Sequence, residues 1–346
     1  MSKTKVFSHT DLDGIGCAIL AYLAFGRENV DVEYCDYKDV DGQVREFYLC
    51  GNPEEYDAIY ITDISVNEEV TEEINELVAA GQKWKLFDHH ATALGLNQFA
   101  WCEVRVEDPE YGFKTCGTEL FCRHLIETGY FKGIKFEAAK NRDLFVQIVR
   151  DYDTWRWKEL GEEGVVCKQV NDLFDIYGRE AFIDWALKRL KYYGSYPEFS
   201  SFSDEDLLLL EQKQKDIDRY IEKKDKQLMV RTDAFGYTYG IIFAEQYFSE
   251  LGNRLCELYP ELDYVAMIDI CGGKVSYRTI REDLDVGGTI AHSNGGGGHP
   301  KAAGSTFDEW DVRDLVIHEI FPNGGCSTAT ERDCDSLCSL ILQMLL

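Results

Sequence analysis

Apolar residues over roughly the first 90 positions alternate between short runs typical of strands and longer stretches with helical spacing. The segment Ile15 to Phe25 is rich in Ala and Leu and stops at Gly26, as a helix would. The predicted strands cover 5–8, 30–34, 58–62 and 84–87, and a second helix covers 70–78. Strands separated by helices predict an α/β fold, with a largely parallel sheet and helices on both faces. Ligands gather at the carboxyl ends of the strands in such a sheet.

The pattern becomes mostly helical after about residue 155. Apolar positions from Asp204 to Val230 share one helical face, which predicts a long amphipathic helix connecting two domains. Strands are then predicted over 237–244, 264–270 and 274–280, and a helix over 246–258. The run Asn294 to Gly298 is too glycine-rich for a regular element and predicts an exposed loop. The expected divisions are a first domain over 1–157, a helical connector over 158–230, a smaller α/β C-terminal domain over 231–322, and a tail over 323–346 with no assigned role.

Composition and charge narrow the class of protein. A chain of 346 residues exceeds what one core usually organises, and 45% hydrophobic with 29% charged residues is typical of a folded protein. The net charge of −27 argues against coating long duplex nucleic acid but leaves short fragments as partners. The first residues contain no run of signal-peptide length, and no segment is long enough to span a membrane. With twelve cysteines but no Cys-x-x-Cys pair, we expect a cytoplasmic protein with reduced thiols and no membrane partner.

Acidic and histidine residues follow four apolar runs of the first domain. Taken singly, such an Asp is more often a cap, and a His-His pair more often lies on the surface. Together, carboxylates at one sheet edge would repel strongly unless cations lay among them, and oxygen ligands with imidazole suit Mn²⁺ or Mg²⁺ better than a structural zinc. The residues are His9, Asp11 and Asp13, then Asp63, then Asp88, His89 and His90, and finally Asp151 and Asp153 after the run 144–149.

These motifs, in this order, resemble those of the DHH-family phosphoesterases that carry a DHH-associated C-terminal domain. The sequence His9-Thr-Asp11-Leu-Asp13-Gly14 matches the opening motif, and Asp88-His89-His90 matches the triplet that names the family. The segment 295–304, Gly-Gly-Gly-Gly-His-Pro-Lys-Ala-Ala-Gly, matches the glycine motif of the associated domain, and 275–278 matches its basic strand. The resemblance spans residues 5 to 307, apart from the helical middle.

The resemblance implies a pair of divalent cations, with Mn²⁺ preferred and Mg²⁺ as the alternative. His9 and Asp11 would hold one ion, Asp13, His89 and Asp151 the other, and Asp63 would bridge both. Asp153 is the alternate to Asp151, which is favoured because it directly follows the apolar run. Two such ions activate water and neutralise charge on a phosphate.

The remaining site residues are interpreted from their chemistry. Asp88 would accept a hydrogen bond that fixes an imidazole tautomer, and His90 would contact phosphate or protonate the leaving oxygen, with a purely structural hydrogen bond left open. In the C-terminal domain, backbone amides of consecutive glycines can turn toward one oxyanion while basic side chains add charge. The predicted substrate-binding residues are Arg278, Gly296, Gly297, Gly298, His299 and Lys301.

The expected function is therefore hydrolysis of short oligonucleotides by a metal-dependent phosphodiesterase, similar to the oligoribonuclease branch and exonuclease-like. Alternatives with the same chemistry are a cyclic or linear dinucleotide phosphodiesterase and a nucleoside bisphosphate phosphatase. A different class is a nucleotide-binding regulator without turnover. Manganese pyrophosphatases of the family are disfavoured because they lack the glycine-histidine loop. A homodimer is compatible with the sequence.

Overall fold

The computed structural model describes residues 3–191 and 199–308, together with Val312. The chain divides into two compact units, Met1–Glu211 and Gln212–Leu346. The predicted tail over 323–346 lies outside the described residues. Among the residues that are described, no helix combines the length and the apolar character that a membrane crossing requires.

The first unit contains a sheet of five parallel strands in the order β2-β1-β3-β4-β5, which confirms the predicted parallel α/β fold. Its strands are β1 (Thr4–Ser8), β2 (Val30–Tyr34), β3 (Ala58–Thr62), β4 (Trp84–Asp88) and β5 (Cys102–Val104). Its helices are α1 (Leu12–Phe25), α2 (Val40–Cys50), α3 (Glu68–Ala79), α4 (Gly117–Glu127), α5 (Phe136–Asp153), α6 (Glu162–Tyr177) and α7 (Arg179–Lys191).

Helices cover both faces of this sheet because side chains alternate along its strands. On β1, Val6 packs into a cluster with Leu20 of α1 and Phe121 of α4. The next residue, Phe7, packs into a different cluster with residues of α2 and α3. Both side chains are fully buried.

Helices α5, α6 and α7 pack on α1 rather than standing apart from the sheet domain. Ile19 of α1 shares one buried cluster with Phe145 of α5, Val170 of α6 and Phe182 of α7. The first part of the segment predicted as a connector therefore contributes to the core of the first unit.

The long amphipathic helix is observed as α8 (Asp204–Asp225), but its predicted end at Val230 is wrong. Met229–Thr232 instead forms strand β6, which pairs antiparallel with β7, Val230 opposite Gly240. Apolar residues near 228–230 fit the spacing of either a helix or a strand, and the strand pairing decides between them.

The second unit is built on a mixed six-stranded sheet in the order β10-β11-β9-β8-β7-β6. Its elements after β6 are β7 (Thr238–Phe243), α9 (Phe248–Leu258), β8 (Tyr264–Asp269), β9 (Lys274–Arg278), β10 (Gly297–His299) and β11 (Ala302–Thr306). The expectation that Asn294 to Gly298 forms no regular element is wrong at its end, since Gly297 and Gly298 belong to β10. Gly298 has a φ of 140°, and a Cβ there would lie 2.7 Å from Ala303 Cα of β11, so glycine permits this pairing.

Candidate active site

The first motif lies in the turn from β1 into α1, where its side chains have different roles. Asp11 Oδ1 accepts a 3.1 Å hydrogen bond from the Gly14 amide and so caps α1, while Asp11 Oδ2 lies 3.0 Å from His9 Nδ1. Burial alone would raise the pKa of Asp11, but its contact with His9 outweighs that effect and lowers the pKa to about 2. Burial likewise opposes protonation of His9, yet contact with Asp11 raises the pKa of this imidazole.

Asp13 is held by the start of a helix more than 100 residues away in sequence. Its Oδ2 accepts a 2.6 Å hydrogen bond from the Gly117 amide, and its Oδ1 accepts a 2.8 Å bond from the Thr118 amide. The amino-terminal end of α4 thus stabilises a buried carboxylate and fixes its orientation. Nothing in the local sequence around Asp13 indicates this partner.

Asp63 lies between the two histidines at the carboxyl end of β3. Its Oδ1 is 3.2 Å from His89 Nε2, and its Oδ2 is 3.8 Å from His9 Nδ1. It is 1% exposed and has a φ of 59°, in the left-handed region that a non-glycine residue rarely adopts. A Cβ at Gly117 would lie 2.6 Å from Asp63 Cβ, so glycine at that position allows the close approach. Such backbone strain is typical of functional sites.

Burial, with the crowding of carboxylates added to it, raises the pKa values of two site aspartates. Burial raises the pKa of Asp63 well above its usual range, and the charges of Asp13, Asp11 and Asp153 add to the effect. Burial followed by the charges of Asp13 and Asp11 does the same for Asp153. These acids are therefore costly to ionise side by side unless a cation lies among them.

The Asp88-His89-His90 triplet forms a hydrogen-bonded chain. Asp88 Oδ1 accepts a 2.7 Å hydrogen bond from the His89 amide and lies 2.7 Å from His90 Nδ1, while Ser65 donates to Asp88 Oδ2. The other nitrogen of His90, Nε2, lies 3.0 Å from the Tyr37 hydroxyl. Asp88 thus orients the ring of His90 and the backbone of His89. Tyr37 and Ser65 were missed by sequence reasoning, since neither stands in a motif with diagnostic spacing.

Hydrogen bonds and burial together shift the pKa values of the Asp88-His89-His90 triplet. Burial would raise the pKa of Asp88, but the bonds from His90 and Ser65 lower it below the usual range. Burial would lower the pKa of His90, but contact with Asp88 raises it. For His89 burial dominates, and its pKa is lowered, which leaves a neutral imidazole able to ligate a metal.

The structure brings Asp153, not Asp151, to the other site residues. Asp153 Oδ2 lies 3.5 Å from His89 Nε2, whereas Asp151 Oδ1 accepts hydrogen bonds from Arg150 and Arg156. The run before these residues belongs to helix α5 rather than to a strand, so residues two apart point in directions roughly 200° apart. The preference for Asp151 is therefore corrected: the alternate, Asp153, is the one that lies with the other site residues.

Three groups of side chains have donor atoms close enough to share an ion, with all ligand atoms in a group within 4.8 Å of one another. Three buried atoms, His9 Nδ1, Asp63 Oδ2 and His89 Nε2, have no hydrogen bond of adequate geometry within the described part of the chain. Buried polar atoms of this kind are normally satisfied, and a cation would satisfy them. The donor set fits divalent metals that accept oxygen and imidazole. The groups are His9, Asp11 and Asp63, then Asp13, His89 and Asp153, and then Asp63 with the Asp88-His89-His90 triplet.

The predicted substrate-binding residues of the second unit lie on β9, directly before and on β10, and in the turn into β11. Arg278 is partly buried, it donates to Ser249 Oγ over 3.2 Å, and burial lowers its pKa. Lys301 Nζ donates to the Arg281 carbonyl and lies 3.5 Å from Glu282 Oε2. His299 and Gly297 lie on the exposed strand β10.

The glycines of this unit differ in what they permit. A Cβ at Gly296 would lie 2.0 Å from the Gly304 carbonyl oxygen, so that position requires glycine for packing. At Gly297 a Cβ would meet nothing within 4 Å. Packing therefore accounts for Gly296 and Gly298 but not for Gly297.

The fold and the paired ligand groups define a metal-dependent phosphoesterase. The chain is 40% identical to oligoribonuclease NrnB of Bacillus subtilis (strain 168) over 317 residues, covering 91% of this chain and 75% of that protein. It belongs to the DHH phosphoesterase family, in the branch that contains NrnB. A comparison with models of protein families found no match.

Solved structures support the fold at low sequence identity. The exonuclease RecJ bound to manganese has a TM-score of 0.52 at 14% identity, with 93% of this chain and 91% of that chain covered. The DHH domain of a protein from a family of ribosomal proteins has a TM-score of 0.52 at 13% identity, with 91% and 85% covered.

Proposed function

We propose that the protein hydrolyses phosphodiester bonds of short oligonucleotides, using two divalent cations held at the carboxyl edge of its parallel sheet. The observation that carries this proposal is the position of Asp63 between His9 and His89, which joins two ligand groups into one site. The similarity to NrnB supports an oligoribonucleotide substrate. The net charge of −27 favours substrates with few phosphates.

His9 and Asp11 would hold one cation, Asp13, His89 and Asp153 the other, and Asp63 would contact both. When bound, the cations would lower the pKa of water and offset charge on the phosphate oxygens, with Mn²⁺ preferred and Mg²⁺ the alternative. RecJ, which shares the fold, has been solved with manganese, in one case from Thermus thermophilus.

The chain's own groups supply orientation and proton transfer. Asp88 fixes the ring of His90 through Nδ1, so that Nε2 is directed toward Tyr37 and can face a phosphate or a leaving oxygen. In the second unit, Arg278, His299 and Lys301 with the amides of Gly296, Gly297 and Gly298 would bind a substrate phosphate. Gly297, whose backbone is open, is the position at which close approach is easiest to test.

The test is a panel of labelled substrates incubated with the purified protein and Mn²⁺. RNA of two to five residues should yield mononucleotides, and Asp63→Asn should abolish the activity. Asp57→Asn, at an exposed position directly before the same strand, is the matched control and should retain it. If the protein cleaved only a cyclic dinucleotide or only a nucleoside bisphosphate, that compound would replace short RNA as the proposed substrate. Absence of turnover with every compound would favour a nucleotide-binding regulator.

A further inference from the structure

A cavity of about 360 Å³ opens in the first unit beside Tyr37 and Ser65, and we call it the lateral cavity. It is lined by residues from the segments 37–41, 65–68 and 92–96, which include the starts of α2 and α3 and the turn after His90. Its volume lies near the lower end of ligand pockets, about 300–1,000 Å³, and suits one nucleoside rather than a longer chain.

Two residues that line the lateral cavity also contact the candidate catalytic residues Asp88 and His90. Tyr37 lines the cavity and also places its hydroxyl 3.0 Å from His90 Nε2. Ser65 lines the cavity and also donates to Asp88. A group attached to a phosphate at His90 would therefore lie next to the opening. Tyr37 is 52% exposed, and although its ring packs against the ring of His9, with 4.8 Å between the centroids, the exposed part of the ring is available for stacking.

The chemistry of the lining disfavours a second phosphate. Two carboxylates, Asp41 and Glu68, line the cavity, and its lining residues include no Lys, Arg or His. Val40, Val66 and Leu96 supply apolar surface. Such a lining repels anions and suits a flat, uncharged ring with N–H donors at its edge.

The two carboxylates are held differently. Both oxygens of Asp41 accept hydrogen bonds from Asn67, 2.8 Å from its amide and 2.7 Å from its Nδ2, which makes this wall rigid. Glu68 is exposed, and its hydrogen bond from Gln98 Nε2 is long at 3.4 Å. Glu68 is therefore the acceptor more readily offered to a ligand.

We propose that the lateral cavity binds the nucleobase next to the scissile phosphate, with the Tyr37 ring stacked on it and Glu68 accepting a hydrogen bond from an exocyclic amino group. This inference rests on the proposed function, since it assumes a nucleotide substrate. It gives the enzyme a preference for guanine, adenine or cytosine over uracil at that position, because uracil has no exocyclic amino group.

Filling the cavity tests the subsite. Gly95 lines the cavity, and a Cβ there would meet nothing within 4 Å, so Gly95→Leu adds side-chain volume at an unobstructed position of the lining. Gly42→Leu is the matched control, since a Cβ at Gly42 also meets nothing within 4 Å and Gly42 is not a lining residue. We expect Gly95→Leu to raise KM for a cytidine dinucleotide roughly tenfold or more, the effect typical of losing a base-stacking site. Hydrolysis of a dinucleotide that carries an abasic ribose at that position, and so has no ring to place in the cavity, should be unchanged.

Base preference gives a second readout that does not depend on filling the cavity. Glu68→Gln should shift the ratio of kcat/KM for cytidine over uridine dinucleotides about fivefold toward uridine, the size expected for one altered hydrogen bond. Glu69→Gln is the control, because Glu69 lies in the first turn of the same helix but pairs with Arg45.

The outcomes separate the two proposals. If the wild type cleaves dinucleotides but Gly95→Leu affects both substrates equally, or neither, and Glu68→Gln leaves the ratio unchanged, the subsite is refuted and the proposed function stands. If the wild type hydrolyses bis(p-nitrophenyl) phosphate but no dinucleotide, both proposals are refuted.

Discussion

Exchanging the two aspartates at the end of α5 for asparagine, one at a time, should separate a metal ligand from a structural ion-pair partner. The ligand atoms of Asp153 and Asp13 lie within 4.8 Å of each other. At an effective dielectric constant of about 20, two charges at that distance repel by about 3 kcal/mol, and protonation relieves part of this. Asp153→Asn should therefore stabilise the metal-free protein by about 1–3 kcal/mol while it weakens Mn²⁺ binding.

Asp151→Asn should instead destabilise the protein and leave Mn²⁺ binding intact. Asp151 is 1% exposed and pairs with Arg150 and Arg156, whose side chains are 17% and 29% exposed. Breaking a fully buried pair costs about 3–5 kcal/mol, and partial exposure of the arginines reduces this to about 2 kcal/mol. Because Asp151 is directed toward the arginines, Mn²⁺ affinity should stay close to that of the wild type.

The assays are urea unfolding in the presence of a chelator, for stability, and calorimetric titration with Mn²⁺, for affinity. Loss of Asp153 should weaken binding by at least the roughly 10–100-fold seen when a group that supports a ligand is removed. If Asp151→Asn abolished Mn²⁺ binding and Asp153→Asn did not, the assignment from the geometry would be wrong and Asp151 would be the ligand.

Three further predictions follow from the same structure. Gly298→Ala should lower the melting temperature because the added Cβ would collide with Ala303. Gly297→Ala should leave the melting temperature unchanged but raise KM for short RNA. An unchanged KM for Gly297→Ala would argue against substrate contact at β10. Asp206 accepts hydrogen bonds from four residues, so Asp206→Ala should cost about 2–4 kcal/mol in urea unfolding at pH 7. Burial would raise the pKa of Asp206, but the hydrogen bonds from Tyr177 and Ser203 lower it. The contribution of Asp206 to the free energy of unfolding should therefore be lost as the pH falls below the usual carboxyl pKa, and a contribution that does not change with pH in that range would contradict this. Chelation of the metal should lower the melting temperature. Adding Mn²⁺ at about 100 times its Kd should raise the free energy of unfolding by about 2.7 kcal/mol.

The positions of Asp63 and of the Asp88-His89-His90 triplet could be predicted because each lies at the carboxyl end of an apolar strand. A short apolar run such as those of β1, β3 and β4 is a local property, and neighbouring parallel strands place the residues at their carboxyl ends along the same sheet edge. For these residues, their place at the end of a strand in the sequence therefore predicted their place at one edge of the sheet. The same reasoning failed at Asp151, because the preceding apolar run is helical and direction changes by about 100° per residue.

By itself, the sequence indicated the alternation of strands and helices, the parallel sheet and the four segments that carry the candidate ligands, since these depend on spacing along the chain. Only the tertiary structure decided that Asp13 is held by the start of α4, that Asp153 takes the place of Asp151, and that Tyr37 contacts His90. Those three contacts join residues from separate elements. Their formation depends on how the elements pack and on which way each side chain points, and the spacing of residues along the chain indicates neither.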